Sequence, residues 1–324
     1  MEKFLGISPL KRIYFCRDDK STFFTNECPQ DCVFFGVVHV KFIPGCECDI
    51  YIYHRSAEES SMFEIPTRSR NVHLLKSLLQ KSIRRGCVSV AQRSARDLML
   101  ESPIELIRRL PIIMIEDTTV FHEIVDLVFD LLCGRMLDIS RPLKYVSMLA
   151  HTKKRYVPNS KSVSFSKKTL FDKCIKHINE PPSMVAFALL LRASYGGMQG
   201  DVNMLVHAAQ LVMDKKMSIE TLDSEECTFS FDTRILNLTD WIIDAVDFHC
   251  CSNILTYAAD KTGMDPTTVK KLMWKHASKI NCRDPQSSEE SEEWLRIAAS
   301  LKEYRLSIIR QSYHCPKRKA DQSI

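Results

Sequence analysis

The sequence predicts a mainly α-helical protein with a small N-terminal β-hairpin element, on three observations. Leucines at 74, 75, 78 and 79, with Ile83 beyond, recur at helical spacing through residues 72–85. Residues 120–133 repeat that amphipathic pattern. Only 9 glycines occur in 324 residues, too few for a sandwich built on many tight turns.

The elements follow in order. Residues 33–43 and 48–54 are rich in aromatic and β-branched side chains and flank Pro44-Gly45-Cys46-Glu47, which reads as a hairpin. A lone hairpin is unstable in water, so residues 14–16 and 61–65 are expected to supply flanking strands. Ser102-Pro103-Ile104-Glu105 reads as a helix start. Pro111 is expected to separate 104–110 from 112–115, because it removes a backbone donor and its ring crowds the preceding turn. Thr118 or Thr119 should cap a helix over 120–133, which Gly134 ends. Residues 153–168 are polar and basic and read as a loop. Helices are expected over 183–194, closed by Gly196-Gly197, and over 201–213. One or two more should fill 238–260, after a small strand or loop at 227–232. Asp265-Pro266 opens a helix to about residue 280. An acidic loop at 284–293 precedes a last amphipathic helix over 291–311. The predicted units are therefore 1–66, 70–152, a linker at 153–168, 169–311 and a basic tail at 312–324. Leu78, Leu79, Leu106, Leu110, Ile124, Val128 and Leu131 should share one helical core.

Composition bounds the environment. Hydrophobic content of 45% and charged content of 26% are globular values, and the net charge of +5 permits nucleic-acid contact without requiring it. The first twelve residues lack the apolar run of a secretory signal. The longest apolar run, 186–191, is too short to span a bilayer. The expectation is a nuclear or cytoplasmic protein, neither secreted nor membrane-embedded, whose 13 cysteines are reduced.

Lys81-Ser82-Ile83-Arg84-Arg85-Gly86, Ala95-Arg96-Asp97-Leu98, Pro103, Arg108-Arg109-Leu110 and Ile115-Glu116-Asp117 form a further pattern. This stretch resembles the helical C-terminal region of replication-associated recombination proteins, AAA+ relatives of clamp loaders and of the Werner-helicase-interacting protein. The resemblance implies a helical module that supports oligomerisation. The phosphate-cradling G-x-x-x-x-G-K-[S/T] loop of those ATPases does not occur in this sequence, so ATP hydrolysis is not implied.

Several residue sets can carry chemistry. Cys28, Cys32, Cys46 and Cys48 can surround zinc if a hairpin gathers them; free thiols are the simpler reading, and no other cofactor is expected. His122, Asp126 and Asp130 share a helix face, as a divalent site or as an ordinary solvated face. Asp240, Asp244, Asp247 and His249, with Glu116 and Asp117, admit a metal-dependent reaction on phosphodiesters, or serve as caps. The glycine-rich run 194–201 precedes a helix and reads as a phosphate loop or a tight turn.

Basic residues cluster at Lys271, Lys275 and Lys279, with Lys270 and Trp274 beside them, at Arg84, Arg85, Arg93 and Arg96, and at 153–155. Such stripes suit phosphate backbones or plain solvated faces. Pro316 before Lys317, Arg318 and Lys319 resembles a nuclear-localisation signal. Together these features predict a non-enzymatic nuclear accessory or scaffold protein that binds a protein partner and nucleic acid, in DNA replication or repair. The alternative is a metal-dependent enzyme acting on nucleic acid through Asp244, Asp247 and His249.

Overall fold

A computed structural model describes residues 11–18, 21–55, 71–134, 140–152, 166–221, 236–245, 252–276, 285 and 287–314. The protein is mainly helical with one N-terminal sheet, as its sequence predicts.

The sheet has four strands: β1 (Lys11–Arg17), β2 (Thr22–Thr25), β3 (Val33–Ile43) and β4 (Cys46–His54), in the order β2-β1-β4-β3. The hairpin turns at Gly45, whose φ of +78° is open to glycine at little cost. β1 lies parallel to β4, with Ile13 opposite Ile50 and Phe15 opposite Ile52, while β2 and β3 form the two antiparallel edges. The predicted partner at 14–16 is thus β1, and residues 61–65 lie outside the described residues. Alternation along β4 sends Cys46, Cys48, Ile50 and Ile52 to the buried face and Tyr51 and Tyr53 to the other.

Helices α1 (Val72–Arg84), α2 (Val88–Glu101), α3 (Pro103–Asp117), α4 (Ile124–Cys133) and α5 (Ser140–His151) follow. The side chain of Asn71 caps α1 by accepting from the His73 and Leu74 amides. The helix α3 continues through Pro111, against expectation. Residues 110–115 are all buried, so tertiary packing holds the turn despite the missing donor. The helix α4 begins at Ile124 instead of 120, because Val120 and His122 hydrogen-bond Glu220 in an isolated parallel bridge. Thr118 instead closes α3, its Oγ1 donating to the Met114 carbonyl at 2.8 Å. Gly134 ends α4 with φ +67°, as predicted.

Beyond the basic stretch come α6 (Lys167–Lys176), α7 (Pro181–Ser194) and α8 (Gln199–Met213). Two short 3-10 turns follow, Leu238–Asp240 and Ile243–Ala245, then α9 (Ser252–Thr262), α10 (Pro266–His276) and α11 (Ser288–His314). Asp265 caps α10, accepting from the Thr268 amide at 3.0 Å. The expected acidic loop at 284–293 is partly the first turn of α11, where Glu289 and Glu290 favour the positive helix end.

One apolar cluster draws on residues from the predicted segments 1–66, 70–152 and 169–311. It contains all seven predicted core residues. An aromatic seam ties the sheet to the helices. Phe15 stacks on Phe24 at 3.8 Å and meets Phe129 of α4 edge-on at 4.9 Å, and Phe24 meets Phe187 of α7 at 5.2 Å. A second, smaller cluster joins α9, α10 and α11 through Ile254, Val269, Leu272, Met273, Ile297 and Leu301. Among the described residues, no helix is long and apolar enough to cross a membrane.

Candidate functional site

The sheet's outer face and its β3 edge carry the largest concentration of exposed apolar side chains among the described residues. Val33, Phe34, Phe35 and Val37 are 66%, 52%, 39% and 47% exposed. Their exposure follows from position: β3 is an edge strand, and no described strand pairs with its far side. The register Phe34↔Tyr53 followed by Gly36↔Ile52 leaves Phe35 as an extra residue, a bulge.

On the outer face, Tyr14, Tyr51 and Val37 occupy one row across the sheet. Ring centroids lie 5.6 Å apart for Tyr14–Tyr51, 5.9 Å for Tyr14–Tyr53 and 5.5 Å for Phe34–Tyr53. This half-exposed aromatic patch is bounded along the strands by two cross-strand ion pairs, His39–Asp49 and Lys41–Glu47, each 2.9 Å. An apolar centre beside a charged border is the surface pattern of a protein contact.

The cysteines form two separate groups. Cys28 and Cys32 sit near Cys16; burial, then the two neighbouring thiols, push the Cys16 thiol up to about 12. The Cys28 sulfur lies 3.5 Å from the Tyr53 hydroxyl. Cys46 and Cys48 are buried at the opposite end of β4, five or more residues away, roughly 17 Å along a strand. The four thiols proposed for zinc are therefore not gathered. Among the described residues, no group of three or more His, Cys, Asp or Glu side chains is placed to hold a metal ion.

The acidic face of α4 is not solvated. Asp130 is buried and bonded to Arg17 at 2.5 Å, while Arg17 also donates to the Asp126 carbonyl at 2.7 Å and to Thr22 at 3.1 Å. The Tyr145 hydroxyl donates to Asp126 at 2.5 Å. Burial, then the Asp126 charge, raises the Tyr145 phenol far above its ordinary value. Burial holds His122 below its usual value despite the nearby Asp126 charge.

The arginine cluster also turns inward. Arg93 is buried and grips Asp240 with two bonds, 2.7 and 2.9 Å, across 147 residues of sequence. Arg96 is buried against Asp97 at 2.8 Å. Arg84 bonds Asp117 and reaches Glu116 at 3.4 Å. Arg85 is half-buried. Arg84 ties α1 to α3 and Arg93 ties α2 to the first 3-10 turn, while Arg96 pairs within α2, so these three guanidiniums are taken up by internal contacts. The same contacts occupy Asp240, Glu116 and Asp117 from the proposed acidic site. Asp244 lies in the second 3-10 turn, and Asp247 and His249 fall outside the described residues.

On α10, Lys271 and Trp274 are exposed, but Lys275 pairs with Glu290 of α11 at 2.5 Å. His276 accompanies it, 2.8 Å from the same carboxylate. Lys279 lies outside the described residues, as do Lys317, Arg318 and Lys319 of the tail.

Sequence reasoning missed the edge patch because exposure depends on strand order, which no local pattern encodes. Its signal is the uninterrupted run Val33-Phe34-Phe35, a departure from the alternation of a half-buried strand. Compared with known protein families, curated proteins and solved structures, the chain matches none of them.

Proposed function

We propose that this protein is a non-enzymatic scaffold that binds an extended segment of a partner protein along β3. The observation that carries this reading is the exposed run Val33, Phe34, Phe35 and Val37 on an edge strand. Natural sheets protect their edges, so a long apolar edge is suited to receive another strand. Backbone groups on the side of β3 that no described strand covers supply binding, and the Tyr14, Tyr51 and Tyr53 face supplies apolar contact. A nuclear location and a role in DNA replication or repair belong to the same proposal.

The test is photo-crosslinking from a reactive residue replacing Phe35, in the native source, with mass spectrometry of the adduct. Phe34→Asp with Val37→Asp should abolish a discrete adduct formed from position 35 while leaving the melting temperature unchanged, since both side chains lie outside the core. Absence of any discrete adduct, or one that survives both charges, removes β3 as the contact.

A second reading, binding of single-stranded nucleic acid, is favoured by Trp274, which is 53% exposed beside Lys270 and Lys271. Oligonucleotide titration should quench tryptophan fluorescence with weak salt dependence, because few cations are free there. No quenching would leave only the protein-binding reading.

A further inference from the structure

A cavity of about 530 Å³ lies between α1, α3, the α7–α8 connection and α11. That volume is in the usual range for small-molecule sites. Four cations line it, Lys76, Arg108, Arg109 and Arg192, against two carboxylates, Glu105 and Asp201. The glycine-rich connection contributes Gly197 and Met198.

The carboxylates do not balance the charge. Glu105 is bonded by Lys76 at 2.6 Å and by Arg108 at 3.0 Å. Burial alone would raise its carboxyl, but the Lys76 and Arg108 charges hold it below the ordinary range. Asp201 lies 3.6 Å from Arg109, and its charge also reaches Arg192. Arg192 is 4% exposed and donates to two carbonyls, of Arg108 at 2.8 Å and of Gly196 at 3.0 Å. No carboxylate among the described residues pairs with it. Among the described residues, the Nε atoms of Arg108 and Arg109 are buried and find no hydrogen-bond partner. Four cations against two carboxylates leave the lining with an excess of positive charge, which is costly to bury without a counter-charge. Burial, then the adjacent Arg108 charge, pulls the Arg192 guanidinium down to about 10.

A dianion with several oxygens answers the excess of positive charge along this lining, and guanidinium groups match phosphate geometry with paired N–H donors. Leu74, Met198 and Ile308 add apolar surface to the same lining. We propose that this cavity binds a small organic phosphate, its phosphomonoester group held by Arg108, Arg109 and Arg192 and its organic part against Leu74, Met198 and Ile308. The proposal stands apart from the β3 contact, which lies on the sheet.

Calorimetric titration of the full chain with adenosine monophosphate, ribose 5-phosphate, inorganic phosphate and adenosine, at constant ionic strength, tests it. Saturable binding of either organic phosphate, tighter than inorganic phosphate and absent for adenosine, is expected; which one binds more tightly identifies a nucleotide or a sugar phosphate. Arg108→Gln with Arg109→Gln should weaken binding at least roughly tenfold per arginine removed. Asp201→Asn removes a competing carboxylate and should tighten binding, a gain that a misfolded variant cannot give. No saturable binding of any probe at millimolar concentration overturns the proposal. So does binding unaffected by the arginine substitutions or not strengthened by Asp201→Asn.

Discussion

At the scale of residues, several charged groups of this protein are turned inward. Arg17 leaves β1, bonds Asp130 and the Asp126 carbonyl of α4, and lies 4.4 Å over the Phe129 ring. It is 2% exposed and Asp130 1%. Removing one partner of such a pair leaves an uncompensated buried charge, which costs about 3–5 kcal/mol. Arg17→Met should show that loss in urea unfolding, and Arg17→Met with Asp130→Leu should recover most of it. If the double variant is as unstable as the single, the pair is not the source of the cost. Sequence could not reveal this, because a buried arginine and an exposed one look alike until their partners are known. Asp130 lies 113 residues from Arg17, and Asp240 lies 147 from Arg93. The N-terminal cysteines make a related point: strand direction separates Cys28 and Cys32 from Cys46 and Cys48, although the spacing alone admits a cluster.

At the scale of elements, legibility tracked apolar periodicity. The leucine stripe of α1 and the Pro44-Gly45 turn were readable because each is local chemistry. The helix α2 was not picked out as a separate helix, since Arg93, Arg96 and Asp97 are buried where an apolar stripe is expected. The start of α4 was misplaced because a distant residue, Glu220, claims the backbone of Val120 and His122. Where periodicity does decide, the energetic consequence is large. Leu78 of α1 is fully buried and Leu131 of α4 is 2% exposed. Truncating either to alanine should cost about 2–5 kcal/mol. An unchanged melting temperature in both variants would disprove the shared core.

At the scale of the whole molecule, two apolar clusters of unequal size meet through α11. Its residues Ile297 and Leu301 pack in the small cluster, and Ile309 in the large one. With 27 residues this helix is roughly 40 Å long. The small cluster has fewer contacts to lose, so it should open at lower free energy than the large one. Leu301→Ala should speed amide hydrogen exchange in α9 and α10 while α7 stays protected. Equal acceleration in α7 would mean that the two clusters unfold together.

The span of the large cluster, from Ile13 to Ile309, also bears on how the chain is made. A ribosome releases the sheet first, at roughly 5–20 residues per second, so α7 follows many seconds after β4. Until α4 and then α7 emerge, Phe15 and Phe24 lack the Phe129 and Phe187 rings that cover them, and the apolar β3 edge is exposed as well. The nascent sheet is therefore the stage of synthesis at which this protein most needs a chaperone.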